Sequence, residues 1–98
     1  MRLEFHPEAE RELIEAAEYY ERRVFGLGKR FADEIERTAK LLLERPAIGA
    51  EVDHALRRLR LVLFPFTLYY SVAPDVLRIE VVAHQRRRPG YWRKRLDP

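Results

Sequence analysis

The stretch LRLVLFPFTLYYSVAPDVLRIEVVAH, residues 59–84, decides the fold class. Its apolar residues recur at every second position, the period of a half-buried strand, and not every third or fourth as on a helix. Leu59, Leu61 and Leu63 are expected on one face and Arg58 and Arg60 on the other, and Pro65 marks a turn or an irregular edge. Phe66, Leu68, Tyr70 and Val72 then alternate with Thr67, Tyr69 and Ser71, and Ala73-Pro74-Asp75 supplies a turn. A last strand over 77–83 places Leu77, Ile79, Val81 and Ala83 on one side; Arg78, Glu80, Val82 and His84 fall on the other. Three such strands joined by short turns make an antiparallel meander.

Upstream of Gly49 the period is helical. Residues 2–5, RLEF, suit a short strand, and Pro7 opens a helix at the position where a missing N–H costs nothing. Ala9, Leu13, Ala16, Ala17, Tyr20 and Val24 form its apolar stripe, with Glu8, Glu10, Glu12, Glu15, Glu18 and Glu21 off it. Gly26 and Gly28 break the pattern. A second helix over about 29–44 aligns Phe31, Ile35, Ala39 and Leu42 and stops before Pro46. The short glycine connection makes the pair an antiparallel hairpin. The expected architecture over residues 1–98 is a single α+β domain: an N-terminal strand, a helical hairpin, and a small antiparallel sheet with one face under the hairpin and one partly open.

Composition narrows the chemistry. With 98 residues there is room for one modest core. The chain has no cysteine, which excludes disulfides, thiolate metal sites and cysteine nucleophiles and suits a reducing cytoplasm. Three scattered histidines make no transition-metal site, and no cofactor is implied. No signal peptide is expected at the N-terminus, and no apolar run approaches the roughly 20 residues needed to cross a bilayer. Net charge is +3 but uneven: residues 1–53 hold 9 Lys/Arg and 13 Asp/Glu, and residues 54–98 hold 10 Lys/Arg and 3 Asp/Glu. A basic C-terminal half points to phosphate or an acidic protein segment.

The alternation sends Arg58, Arg60, Thr67, Tyr69, Ser71, Arg78, Glu80 and His84 to the open face, and the tail AHQRRRPGYWRKR, residues 83–95, adds Arg86, Arg87, Arg88, Tyr91, Trp92, Arg93, Lys94 and Arg95. Arginine forks bind phosphates, aromatic rings stack on bases, and a histidine moves protons near neutral pH. Metal-free RNA cleavage needs a base for the 2′-hydroxyl, cations around the phosphorane and an acid for the leaving oxygen. His84 or Glu80 fits the base, Arg60 and Arg86 the cations, and Tyr91 or His84 the acid. Each has a plainer use. The strand arginines suit a solvated sheet face, Glu80 neutralises Arg78, His84 makes a structural hydrogen bond, Trp92 plugs the open end of the core, and Arg93-Lys94-Arg95 forms a solvated end. His6 belongs to the helix start, and His54 sits in a loop. Arg58, Arg60, Arg86, Arg87 and Arg93 are the candidates for binding phosphate or a partner.

The segments FHPEAERELIEAAEYYERR, GLGKRFADEIE, LLLERPAIG, LRRLRLVLFPFTLYYSV and LRIEVVAHQRRRPGYWRKR, in this order and over nearly the whole chain, resemble the RelE/ParE superfamily of toxins from type II toxin–antitoxin systems. The likeness rests on the F-x-P-x-A opening, the paired helices with a G-x-G break, the P-x-x-G helix exit, the arginine strand, the F-P-[FY]-x-[LI]-x-Y strand and the ending A-H-x-R-R-x-P-x-Y-W-x-x-R. It implies a small sheet with an N-terminal helical hairpin. It also implies a bacterial, cytoplasmic toxin neutralised by a cognate acidic antitoxin whose flexible segment wraps it, with operator DNA bound only through that complex. RelE-like members cut mRNA in the ribosomal A site, and there the resemblance gives Arg58 or Arg60, His84, Arg86 or Arg87, and Tyr91 the site positions. ParE-like members poison DNA gyrase instead. The long hairpin and the H-x-R-R-x-P-x-Y-W ending look more like sequences grouped under ParE or plasmid stabilisation, so gyrase inhibition is the expected function and ribosome-dependent mRNA cleavage, or mere antitoxin binding, the alternative.

Overall fold

The structure, a computed structural model, describes residues 1–97. Strand β1 (Arg2–Phe5) leads into helix α1 (Pro7–Arg23), which turns back as α2 (Leu27–Glu44). Strands β2 (Ala50–Asp53), β3 (Leu56–Arg60), β4 (Phe66–Val72) and β5 (Val76–His84) follow, and a single turn of helix, α3 (Arg93–Leu96), is the last element among the described residues. The sheet order is β1-β5-β4-β3-β2, with β1 parallel to β5 and all other pairs antiparallel.

The hairpin follows from local chemistry. His6 caps α1 by accepting the Glu8 N–H on Nδ1 at 3.0 Å, and Pro7 stands where its missing donor is harmless. Gly26 sits in the left-handed region at φ 83°, and both oxygens of Glu21 reach across the turn to the N–H groups of Gly26 and Gly28 at 2.8 and 2.9 Å. These bonds satisfy donors that an α2 N-terminus otherwise leaves open. Gly28 lies inside the first turn of α2, not in the break, and it is glycine because a Cβ there would collide with the Ala17 carbonyl oxygen. The helices cross backbone to backbone at that point.

Phe31, Ile35 and Leu42 of α2 meet Leu68, Tyr70, Leu77, Ile79 and Val82 of the sheet in the main core, and Tyr20, Phe31, Phe64 and Phe66 interlock as tilted and edge-on aromatic pairs within it. The buried Tyr70 hydroxyl donates to the Pro46 carbonyl at 2.7 Å and accepts the Gly49 N–H at 2.9 Å. That pins the exit from α2 against the sheet and delivers the chain into β2.

The α+β architecture agrees with the sequence reading; β1, parallel to β5, makes the sheet mixed and not wholly antiparallel, and four local departures accompany it. β2 makes the meander four-stranded; its residues AEVD carry no apolar alternation because the strand is an exposed edge. β3 ends at Arg60, and Leu63 is exposed in a loop whose Val62 and Leu63 N–H groups both donate to the buried carboxylate of Glu34, at 3.2 Å each. Val24 leaves the buried stripe and caps α1 in an extended, exposed conformation. Last, β5 carries a bulge. Tyr70 pairs with Ile79 and Tyr69 with Val81, so Glu80 is one residue too many, and the side-chain phase flips beyond it. Val82 and His84 therefore share the hairpin side with Phe66 and Leu68, and Val81 and Ala83 turn to the open face, the reverse of the sequence expectation.

The two turn glycines predict different losses. Gly28→Ala forces the helices apart and lowers stability by about 1–3 kcal/mol; Gly26→Ala meets open space and costs only the left-handed backbone, about 1 kcal/mol. Thermal melts of the two variants are expected to show the larger fall for Gly28→Ala; equal melts would mean that the helix crossing is not tight.

Candidate functional site

The sheet face away from the hairpin carries a groove of about 350 Å3. Its position follows from the strand register. Arg58 and Arg60 on β3 pair with Tyr69 and Thr67 on β4, which in turn pair with Val81 and Ala83 on β5. The tail then folds over this face. Gly90, at φ 75°, reverses the chain, and Trp92 returns to lie on Tyr69 with ring centroids 4.6 Å apart. Leu56, Val81, Ala83 and Trp92 form a second, smaller core here. An aromatic pair of this kind contributes about 0.5–1.5 kcal/mol beyond its area.

Four arginines border the groove, Arg58, Arg60, Arg87 and Arg88, and no carboxylate is among its lining residues. The Arg87 guanidinium stacks on Tyr91, 3.8 Å from the ring centroid. Unneutralised guanidinium groups beside an aromatic floor raise the positive potential of a concave surface and attract anionic chains. Not all of the sequence candidates come together there. Arg86 is exposed and does not line the groove, and Arg93 lies over Trp92 at 5.0 Å and borders a neighbouring hollow with Arg78, Ser71 and Glu80.

The candidate acid and base are engaged elsewhere. The ring of His84 stands edge-on to Phe66, centroids 5.0 Å apart, on the hairpin side to which the bulge has turned it. It borders both the groove and a hollow formed with Ala16, Tyr19, Tyr20 and Phe66. Its Nδ1 accepts the Arg86 N–H at 3.0 Å, so in the neutral ring the other nitrogen carries the proton and no lone pair is free. Glu80, nearly buried, accepts the Ser71 hydroxyl at 2.7 Å and faces the neighbouring hollow. Tyr91 directs its hydroxyl to a hydrogen bond with Glu12 on α1, away from the groove arginines.

Glu12 is the residue that the sequence reading missed. β1 ends at Phe5, so no strand lies beside the far half of β5. The Glu12 carboxylate fills that edge: Oε1 accepts the Val82 N–H at 3.0 Å, and both oxygens receive the Arg95 guanidinium at 2.9 Å. Arg95 also donates to the Glu80 carbonyl at 3.2 Å, so it is a structural tie and not part of a solvated end. The ion-paired side chains are each 14% exposed. Its signal was positional. Residue 12 stands three after Ala9 and four before Ala16, on the margin of the buried stripe.

Burial first, and the Glu12 carboxylate second, hold the Tyr91 phenol well above its ordinary value of 10.0. The Glu12 hydrogen bonds likewise raise Arg95. A raised phenol in the folded state means that the unfolded chain ionises first. The stabilisation is therefore complete below about pH 10 and is lost as pH rises further, by at most about 1.4 kcal/mol per pH unit. Tyr91→Phe is expected to flatten denaturation midpoints measured between pH 10 and 12, and an unchanged slope would remove Tyr91 from the tie. Glu12→Ala strands a backbone N–H, a phenol and a guanidinium together, and is expected to lower the urea-unfolding free energy at pH 7 by about 2–4 kcal/mol.

Comparison with known proteins gives the fold and the family. No curated protein matches the chain. A solved chain described as the chromosomal ParDE toxin–antitoxin system from P. aeruginosa superposes with a TM-score of 0.72 at 20% identity, over 86% of this chain and 95% of that one, and shares its fold. The family described as ParE toxin of the type II toxin–antitoxin system parDE matches residues 3–89, which take in both long helices, β2 to β5 and all of β1 but Arg2, and the chain belongs to that family.

Proposed function

We propose that this protein is the growth-arresting toxin of a type II toxin–antitoxin pair, that its arginine groove receives an acidic segment of the cognate antitoxin, and that it acts by ParE-like inhibition of DNA gyrase. The carrying observation is the groove itself: four arginines, an aromatic floor and no carboxylate, with no free acid or base among its lining side chains. Binding an acidic peptide needs no proton transfer, only fixed cations and a surface to cover. RNA cleavage by attack of a 2′-hydroxyl needs a base and an acid at the phosphate. His84 and Tyr91 spend those functions on Arg86 and Glu12. The match to ParE toxins points the same way.

Two measurements test this. Purified toxin is expected to inhibit supercoiling by gyrase, and cells expressing it without antitoxin to stop growing with intact mRNA. His84→Ala is expected to arrest growth as well as the wild type. New mRNA 5′ ends within codons, lost in His84→Ala, would establish the ribosome-dependent nuclease instead. Absence of arrest would leave a protein that only binds its antitoxin. For the groove, the double variant Arg58→Glu/Arg60→Glu is expected to weaken antitoxin binding by about 10–100-fold, with a smaller dependence on salt. Unchanged affinity would place the antitoxin on another surface.

A further inference from the structure

The turn between α1 and α2 breaks several local rules at once. Phe25 is 97% exposed, the most exposed of the large apolar residues, and Val24 beside it is 58% exposed. Around them the charge reverses. Residues 7–20 hold five glutamates and one arginine, whereas residues 21–30 hold Arg22, Arg23, Lys29 and Arg30 against the single acid Glu21. Arg22 and Arg23 suit the C-terminal end of α1. Lys29 and Arg30 do the opposite. They stand at the start of α2, whose first turn holds no acid and where the helix dipole repels cations. Lys29 is answered within α2 by Asp33 at 3.0 Å, and Arg23 lies over Tyr19, 5.1 Å from the ring centroid, but neither helix propensity nor core packing accounts for a bare phenylalanine flanked in sequence by Arg22 and Arg30, and such local conflicts mark functional surfaces.

The turn is also rigid. Glu21 binds two of its N–H groups, Gly26 fixes the reversal at φ 83°, and Gly28 holds the helices in contact. Phe25 is thus presented in a fixed position. A fixed position lowers the ordering penalty of entering a shaped pocket. It brings no advantage for adsorption to a lipid surface, where one aromatic ring and a few cations give only weak, reversible binding.

We propose that this turn is the element by which the toxin docks on its target protein: Phe25 enters an apolar pocket, and Arg22 and Arg30 meet carboxylates on its rim. The proposal rests on the toxin reading. It assigns the target to the tip of the hairpin and leaves the arginine groove, built from the sheet and the tail, to the antitoxin. Toxin bound by antitoxin in the groove then need not lose its tip; neutralisation acts by bulk or by altered access.

The test compares full-length wild type, Phe25→Ala and Arg22→Glu/Arg30→Glu. The exposed positions predict unchanged melting temperatures and unchanged antitoxin affinity for both variants. The concentration needed to inhibit supercoiling by purified gyrase is expected to rise about ten-fold or more in each, and growth arrest on expression to weaken in parallel. Full potency in both variants overturns the proposal. Should wild type leave gyrase unaffected, the gyrase reading falls, and the tip is judged on growth arrest alone: loss of arrest in the variants upholds it, retention overturns it. A wild type that neither inhibits gyrase nor arrests growth removes both readings. Two other occupants are read directly. Phe25-dependent co-sedimentation with phosphatidylglycerol vesicles, or a wild-type dimer that Phe25→Ala converts to monomer in ultracentrifugation, would give the tip to lipid or to a second copy and overturn the assignment.

Discussion

β5 has one residue more than β4 can pair, and the arrangement of both sheet faces depends on that excess. Up to Ile79 the strand places its large apolar residues under the hairpin. Past Glu80 the phase is inverted, so Val82 continues the main core while Val81 and Ala83 surface on the opposite side. Those two side chains give Trp92 and Tyr69 something to pack on. Without the bulge, Val82 and His84 would project onto the open face. A single backbone insertion therefore turns the His84 ring towards Phe66 and leaves it at the border of the groove.

The same strand leaves an edge to be closed. Beyond Phe5 no neighbour accompanies β5, and an unpaired N–H in a half-buried edge costs about 1–3 kcal/mol. Glu12 supplies the acceptor, and Arg95 and Tyr91 supply the donors that make a buried carboxylate tolerable. The tie joins α1, β5 and the tail. It also holds Tyr91 with its ring toward Arg87 and its hydroxyl away, so the stability of the tail and the chemistry of the groove are set by one carboxylate.

Legibility in the sequence tracked periodicity. The helices, the strands β4 and β5 and the outward direction of Arg58, Arg60, Thr67 and Tyr69 all follow from regular spacing, which a local pattern carries in full. Trp92 as a packing residue also follows, from its size and the turn before it. The bulge does not follow. R-I-E-V-V-A-H alternates acceptably in either phase, because Val81, Val82 and Ala83 are all apolar, and only pairing with β4 selects one. β2 escaped because an exposed edge needs no apolar rhythm. Glu12 and Arg95 escaped because their meaning lies in a contact across 83 positions of sequence, between residue types that are ordinarily solvated. The resemblance to known toxins implied the same order of elements that the periodicity gives, but it had no means of telling where the tyrosine hydroxyl points.

Arginines on one strand divide between a structural tie and a cationic surface that the fold leaves unpaired. Arg57 and Arg58 are neighbours on β3 and face opposite ways. Arg57 is satisfied: its guanidinium donates to the Gly49 carbonyl at 2.7 Å, to the Ala47 carbonyl at 3.3 Å and to Glu51 at 3.2 Å, closing the link between α2 and β2. Arg58 and Arg60, two positions apart on the groove face, make no side-chain hydrogen bond or ion pair among the described residues and share that face with Arg87 and Arg88. The chain has 16 acidic residues and places none of them in the groove lining. Folding gains nothing from crowding like charges on one concave surface, since each guanidinium raises the energy of the next. A partner that brings carboxylates removes that repulsion as it binds. The interaction is then strongest where the free protein is most frustrated, and the Glu12 tie, by taking Arg95 out of the set, limits how much repulsion the unbound fold must carry.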